Sequence, residues 1–208
     1  GLFDRMIKYL FLTKAIYKEA KKTPTDVFYI YSSPPFLGWM GTKLAKHTPT
    51  LYNAQDLFPD TLIRIKGLHE SNPLIKYLRF KEKQAYRGNT RIVTISDEMK
   101  ETIASHGCSI DKIDVIYNWA DTKNIHHIER ENNVLMDELG INKEGFIVSY
   151  AGDIGLFQGW LTIVQAAKIV HEAKSEVRFV IIGSGSYKQR LEEQIKNENL
   201  DYIKTYPL

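Results

Sequence analysis

The sequence predicts an α/β protein built from parallel sheets, and three observations carry that prediction. Short apolar runs alternate with amphipathic segments of ten or more residues, the rhythm of βαβ units. The runs are nearly continuous in apolar residues rather than alternating, as in strands that helices cover on both faces. The rhythm breaks once, between Tyr117 and Gly145, and then restarts. The break divides the chain into a first unit at 1–120, a linker at 121–145 and a second unit at 146–208.

Each element has a local reason. Leu2, Met6, Tyr9, Leu10, Ile16, Tyr17 and Ala20 fall on one helical stripe, so 2–22 reads as a helix that Thr23-Pro24 ends. The apolar run 26–31 is a strand. A helix follows Pro35 to about His47, and 49–54 is a second strand. Asp56 to Asp60 is a loop with two carboxylates. A basic helix at 73–87 ends at Gly88-Asn89, and 91–95 is a third strand. Ser96 caps the next helix, with Asp97 and Glu98 in its first turn where the helix dipole favours anions. Lys112 to Ile116 is a fourth strand. The linker holds a short helical run near Val134 to Leu139. Beyond it, 146–151, 177–182 and 202–205 read as strands, and Leu156 to Ala173 and Tyr187 to Asn197 as helices.

Composition removes several classes. The 208 residues are 43% hydrophobic and 25% charged, ordinary for a globular protein rather than a disordered one. Cys108 is the one cysteine, so no internal disulfide can form. No uninterrupted apolar run is long enough to span a bilayer. The run from Met6 to Tyr17 is broken by Lys8 and Lys14 and has no signal-peptide cleavage pattern. The net charge of +3, with no Lys/Arg block, argues against a dedicated nucleic-acid binder. Its distribution is uneven: residues 1–120 hold 18 basic and 12 acidic side chains, and residues 121–208 hold 10 and 13. The chain begins at Gly1 and reads as a fragment or a processed product.

The chemical signal lies in two glycine turns of the second unit. Gly152-Asp153-Ile154-Gly155, with Gln158 and Gly159, follows a strand and opens a helix. Gly183-Ser184-Gly185 does the same after the next strand. In open α/β sheets ligands sit at the carboxyl ends of strands, and glycine turns before helices present free N–H groups to anions. Two such turns on neighbouring strands suit a nucleotide diphosphate. Neither is a dinucleotide GxGxxG fingerprint or a Walker A loop, and tight turns also need glycine for their own geometry.

Several segments together resemble the family-four group of retaining, nucleotide-sugar-dependent glycosyltransferases, which have two Rossmann-like domains facing a cleft. Tyr52 to Asp60 resembles that group's "D-L-W/F-P" segment, and Thr94 to Met99 its following strand and capped helix. Val115 to Asp121 resembles the "V-I-P-N-W/G-V-D" entry to its hinge. Tyr150 to Gly159, with Gln165 to Ala167, resembles the first strand, loop and helix of its C-terminal domain, and Phe179 to Gly185 its "G-x-G" turn. The resemblance covers essentially the whole chain in family order. The subgroup it is most similar to transfers sugars, often amino-sugars, in bacterial surface polysaccharide assembly.

The resemblance implies a division of labour. Gly152, Asp153, Ile154, Gly155, Gln158 and Gly159 would meet the donor, with the diphosphate at Gly152, Gly155 and the following helix. Gly183, Ser184 and Gly185 would lie near the nucleoside. The first unit would hold a saccharide or lipid-linked acceptor, with Gln55 and Asp56 as the catalytic candidates. The donor would be a nucleotide-sugar, UDP-linked, with no metal and no other cofactor. The protein would work in the cytoplasm, peripherally at the inner face of the membrane. Three departures stand out. Relatives carry Arg and Lys where this chain has Asp153 and Gln158, so Asp153 either caps the helix or meets sugar hydroxyls. Relatives carry His where Gln55 stands. The family's paired glutamates, seven residues apart, do not occur after Gly145, so the chain reads as the middle of a longer enzyme and is expected to have little activity alone.

Other readings remain open. A non-catalytic nucleotide-sugar binding module fits the same turns. A Rossmann-type epimerase or dehydrogenase would need GxGxxG, which is missing. A second row on the first helix, Phe3, Ile7 and Phe11 continued by Lys14 and Lys18, is either a membrane-facing surface or a face covered by protein. His126 and His127 read as solvated, Cys108 as a small buried hydrophobe, and Tyr9, Tyr17, Trp39 and Trp160 as core.

Overall fold

Four parallel strands form the first sheet in chain order: β1 (Phe28–Tyr31), β2 (Thr50–Ala54), β3 (Arg91–Thr94) and β4 (Ile113–Val115). The computed structural model describes residues 2–156, 158–174 and 176–207, without the side chains at 2, 3, 5, 65 and 66, so the predicted roles of Leu2 and Phe3 fall outside the described residues. The chain divides into two compact units, Gly1–Ala120 and Asp121–Leu208.

In the first unit the sheet register sets Ile30, Tyr52, Ile92 and Ile113 in one row. That row is buried against Leu37, Met40 and Leu44 of α2 (Leu37–Leu44), Tyr86 of α4 (Pro73–Gly88) and Ile103 of α5 (Asp97–Ser105). Ile16, Tyr17 and Ala20 of α1 (Leu2–Ala20) pack on the same side. Each large side chain so buried stabilises the fold by about 1.5–3 kcal/mol. A second cluster, Phe36, Leu62, Ile75 and Leu78 with Met6 and Tyr9, joins the helices to one another. Leu62 belongs to α3 (Asp60–Lys66), a helix the sequence reading did not assign. Asn89 is buried at the end of α4, where its Nδ2 donates to the carbonyls of Gly38 (2.8 Å) and Ala85 (2.7 Å).

The expectation that helices cover both sheet faces is not met. Every crossover steps to the same side, and right-handed crossovers that step one way leave all their helices on one face. The opposite face is open at its β1 edge, where Tyr29 is 62% exposed and Tyr31 43%, while Asn53 and Val93, in register with Tyr31, are buried.

The second unit repeats the scheme with β5 (Ile147–Ala151), β6 (Arg178–Ile182) and β7 (Ile203–Tyr206), again parallel and in chain order. Phe179, Ile181 and Ile203 meet Trp160, Val164 and Ala167 of α7 (Trp160–Ala173) and Leu191 of α8 (Lys188–Asn197). On the other face, Ile147, Val180 and Ile182 line a groove of about 440 Å³ with Leu135 and Met136 of α6 (Val134–Glu138). The segment read as a linker therefore packs within the second unit. His126 and His127 are exposed, as expected. Cys108 is buried, its Sγ donating to the Tyr86 carbonyl at 3.5 Å, and burial pushes its thiol pKa up.

Two boundaries move for physical reasons. The helix predicted from Leu156 starts at Trp160, because Gly159 holds a left-handed conformation (φ 69°, ψ 35°) that a helix interior does not admit. The fourth strand shortens because a 3-10 turn occupies Ile110–Lys112.

Candidate functional site

In the second unit the glycine turns after β5 and β6 are bonded to each other. The Gly152 N–H donates to the Ile182 carbonyl (3.0 Å), the Ile154 N–H to the Ser184 carbonyl (2.8 Å) and the Tyr187 N–H to the Ile154 carbonyl (2.9 Å). Ile154 is fully buried between them. A Cβ on Gly183 would stand 1.9 Å from the Gly152 oxygen, and one on Gly185 2.4 Å from the Ile154 oxygen. These two glycines are needed for one turn to approach the other.

Two aromatic side chains hold the first turn from beneath. The Tyr150 hydroxyl donates to the Asp153 carbonyl (2.8 Å), and the Trp160 indole Nε1 donates to the Gly155 carbonyl (2.9 Å). Their rings meet edge to face with centroids 4.9 Å apart. Sequence reasoning placed Trp160 in the core, where it is, and missed that its N–H also fixes the loop. Among the described residues, the N–H groups of Gly155, Ser184 and Gly185 donate to no acceptor, which leaves them free for an anion.

Asp153 does not cap α7. The capping position is Gly159, and no side chain bonds the first turn there. The carboxylate lies between the two turns instead: a Cβ on Gly155 would meet its Oδ2 at 2.4 Å, and one on Gly185 its Oδ1 at 2.7 Å. Gln158 Oε1 stands 2.8 Å from the same Gly155 position. Two acceptor side chains therefore flank Gly155, able to take hydrogen bonds from hydroxyls or amines beside its free N–H. A cation not singled out from spacing, Lys188, donates to the Gly183 carbonyl at 3.0 Å.

In the first unit, Gln55 and Asp56 follow the carboxyl end of β2. Gln55 is held on both sides, its Oε1 accepting from the Tyr31 hydroxyl (3.0 Å) and its N–H donating to Ser32 Oγ (3.3 Å). Asp56 is exposed, and its carboxylate has no hydrogen-bond partner among the described residues. Burial, with the charges of Glu82 and Asp56, pushes the Tyr52 phenol pKa well above its ordinary value.

Asp60, the second carboxylate of that loop, is held in an ion-pair network. Both its oxygens accept from Arg79 at 2.7 Å, and Arg79 also reaches Glu70 (2.7 Å) and Glu82 (3.0 Å). Glu82 is buried and accepts from the Tyr86 hydroxyl (3.0 Å), with His106 Nδ1 at 3.3 Å. Burial works against the charge on Asp60, yet the Arg79 hydrogen bonds and charge, with His106 nearby, bring its pKa below the ordinary value. On Glu82 burial wins, and its pKa is raised. Asp60, Glu82 and His106 could offer ligand atoms within 4.8 Å of one another, but Arg79 already occupies the carboxylate oxygens.

Comparison with known proteins gives this geometry a family. Residues 1–124 match the model described as Glycosyltransferase Family 4, and residues 131–205 the one described as Glycosyl transferases group 1. WcaI of Escherichia coli K12, named for colanic acid biosynthesis glycosyl transfer, is 22% identical over 162 residues, covering 76% of this chain and 39% of WcaI. Anabaena HepE, solved with UDP and glucose, superposes with a TM-score of 0.70 at 16% identity, over 95% of this chain and 51% of HepE. Sucrose-phosphate synthase from Thermosynechococcus elongatus gives 0.68 at 15% identity, over 96% of this chain and 49% of the synthase. The chain spans about half of those structures and about two-fifths of WcaI. At these identities the structural likeness establishes the fold, two Rossmann-like parallel-sheet units as predicted. The first model covers more than half of the residues, and the chain belongs to Glycosyltransferase Family 4.

Proposed function

We propose that this chain is part of an enzyme that moves a sugar from a nucleotide diphosphate sugar to a saccharide or lipid-linked saccharide, with retention at the anomeric carbon. The observation that carries the reading is the pair of glycine turns bonded together at the carboxyl ends of β5 and β6, with unpaired N–H groups. In this reading the N–H groups of Gly155, Ser184 and Gly185 receive the diphosphate. Asp153 and Gln158 accept hydrogen bonds from donor hydroxyls. Gln55 orients the acceptor hydroxyl and Asp56 supplies charge beside it. No metal is required, because fixed N–H dipoles balance the leaving diphosphate. Positioning does the rest. HepE binds UDP and glucose, and a UDP-linked donor is the first to test here.

The acceptor side carries the net positive charge of the chain, which suits an enzyme working peripherally at the cytoplasmic face of an anionic membrane. Among the described residues, no helix is long and apolar enough to cross a membrane. Calorimetric titration with UDP and UDP-sugars tests the donor site, and donor turnover tests transfer. The chain should bind UDP, and Gly155→Asp, which adds a carboxylate among Asp153 and Gln158, should abolish that binding and, in the full-length enzyme, turnover. Equal UDP affinity in the two proteins would remove the donor site from these turns.

A further inference from the structure

We infer that the first unit docks on an anionic lipid bilayer through a band of lysines and aromatic rings on α2 and α4, rather than through the apolar row of α1. The inference rests on the peripheral-membrane reading above and assigns it a different surface. At the centre of the band is Trp39 of α2. Lys81 Nζ lies 4.3 Å from its ring centroid and Lys43 Nζ 4.7 Å. Lys81 also lies 5.4 Å from the Tyr77 ring and 5.6 Å from that of Phe80, and Lys43 lies 5.7 Å from the Tyr17 ring of α1. The band therefore crosses three helices without a break. Tyr77 and Phe80 are each 55% exposed.

Charge selects the occupant. The segment 35–48 contains no carboxylate. The single carboxylate of α4 is Glu82, which is buried and held by Arg79 and Tyr86. Two ammonium groups sharing one indole repel each other, and an anion between or beside them relieves that repulsion. Aromatic rings with lysine stems beside them match the headgroup level of a bilayer, where a ring is apolar at one side and wet at the other. A single-stranded nucleic acid also meets lysines and aromatics, but it runs in a charged groove. Here the rings stand on helix surfaces, with Leu74 also exposed on α4. The α1 row lacks this pattern: Lys14 lies 5.9 Å from the Phe11 ring, and no second cation joins it among the described residues.

Flotation with vesicles tests the assignment, using phosphatidylcholine alone and about three parts phosphatidylcholine to one part phosphatidylglycerol. Wild type should float only with the anionic vesicles and should be released by high salt. Lys43→Ala with Lys81→Ala should weaken partition about thirtyfold, since each basic residue near the surface is worth about a factor of five. Tyr77→Ser with Phe80→Ser should also weaken it, and Phe11→Ser should leave it unchanged. If Phe11→Ser releases the protein and the lysine pair does not, membrane contact stands but the band is wrong. If wild type ignores anionic vesicles while retaining UDP binding, the membrane reading fails and the donor reading survives. Retention of single-stranded DNA by the band, without vesicle binding, would overturn the lipid assignment in favour of a polyanion.

Discussion

Gly183 shows how much of the candidate site depends on the absence of one carbon. A Cβ there would stand 1.9 Å from a backbone oxygen of the neighbouring turn, and no rotamer change relieves a backbone clash. Gly183→Ala should destabilise the second unit by about 2 kcal/mol or more and weaken UDP binding with it. Gly67→Ala is the contrast: its φ is 59° but nothing lies within 4 Å of the added Cβ, so only strain of about 1 kcal/mol is expected. Urea midpoints of the two variants separate clash from strain. The Arg79 network makes a pH prediction. Asp60 has a lowered pKa in the folded state, so its ion pair contributes fully above the ordinary carboxylate value and is lost as pH falls through the lower folded one. Asp60→Asn should therefore cost about 2 kcal/mol at neutral pH, and the gap from wild type should close in strong acid. Glu82 has the opposite sign: its folded pKa is raised, so it favours folding below the ordinary value, and that contribution is lost as pH rises through the folded one. Urea titrations of both proteins from neutral pH down to about pH 2 measure the closing gap.

At the scale of elements, the start of α7 decides what the first glycine turn can do. Gly159 delays the helix, and the loop between β5 and Trp160 is then pinned by an indole hydrogen bond of 2.9 Å rather than by a cap. Trp160→Phe keeps the apolar ring and removes that bond. It should cost about 1–3 kcal/mol, the penalty of a buried carbonyl left unpaired, and weaken UDP binding more than it lowers the urea midpoint implies. Unchanged UDP affinity would show that the loop holds its shape without the indole. This is also where the sequence was hardest to read. Strand–helix alternation and the two glycine turns were legible, because apolar runs and turn glycines are local signals. The position of Asp153 was not, because the helix was expected to begin at Leu156, where a nearby Asp makes a natural cap. Helix α3 escaped notice because it has two turns, and Leu62 packs on other helices rather than on the sheet. The Arg79 network joins residues 60, 70, 79, 82 and 106, a spread that no motif spacing reveals. That α2, α4 and α5 share one face of the first sheet is not legible either, because strand composition does not encode the direction in which successive crossovers step.

For the whole molecule, the decisive fact is that among the described residues the sheet core of the first unit and the core of the second share no residue. Ile92, Ile103 and Tyr52 belong to the core of the first unit, and Val164, Leu191 and Ile203 to that of the second. The uneven charge follows the same division, positive in the first unit and negative in the second. On the proposed function, the net negative second unit would receive a diphosphate through local N–H groups rather than its overall field, so donor binding should depend weakly on salt while vesicle binding depends strongly. Separate cores also mean that stability is assigned unit by unit. Trp160 is the one tryptophan of the second unit, and Trp39 and Trp119 belong to the first. With Trp39 and Trp119 replaced by Phe, fluorescence follows the second unit alone. Leu191 is fully buried, and Leu191→Ala should lower the Trp160 transition by about 2–5 kcal/mol. Ile103→Ala, a similar deletion in the other core, should leave that transition in place and lower the one reported by Trp39 when Trp160 is Phe. If either deletion moves both transitions together, the two cores unfold as one cooperative system, and donor-site stability could no longer be tuned from the second unit alone.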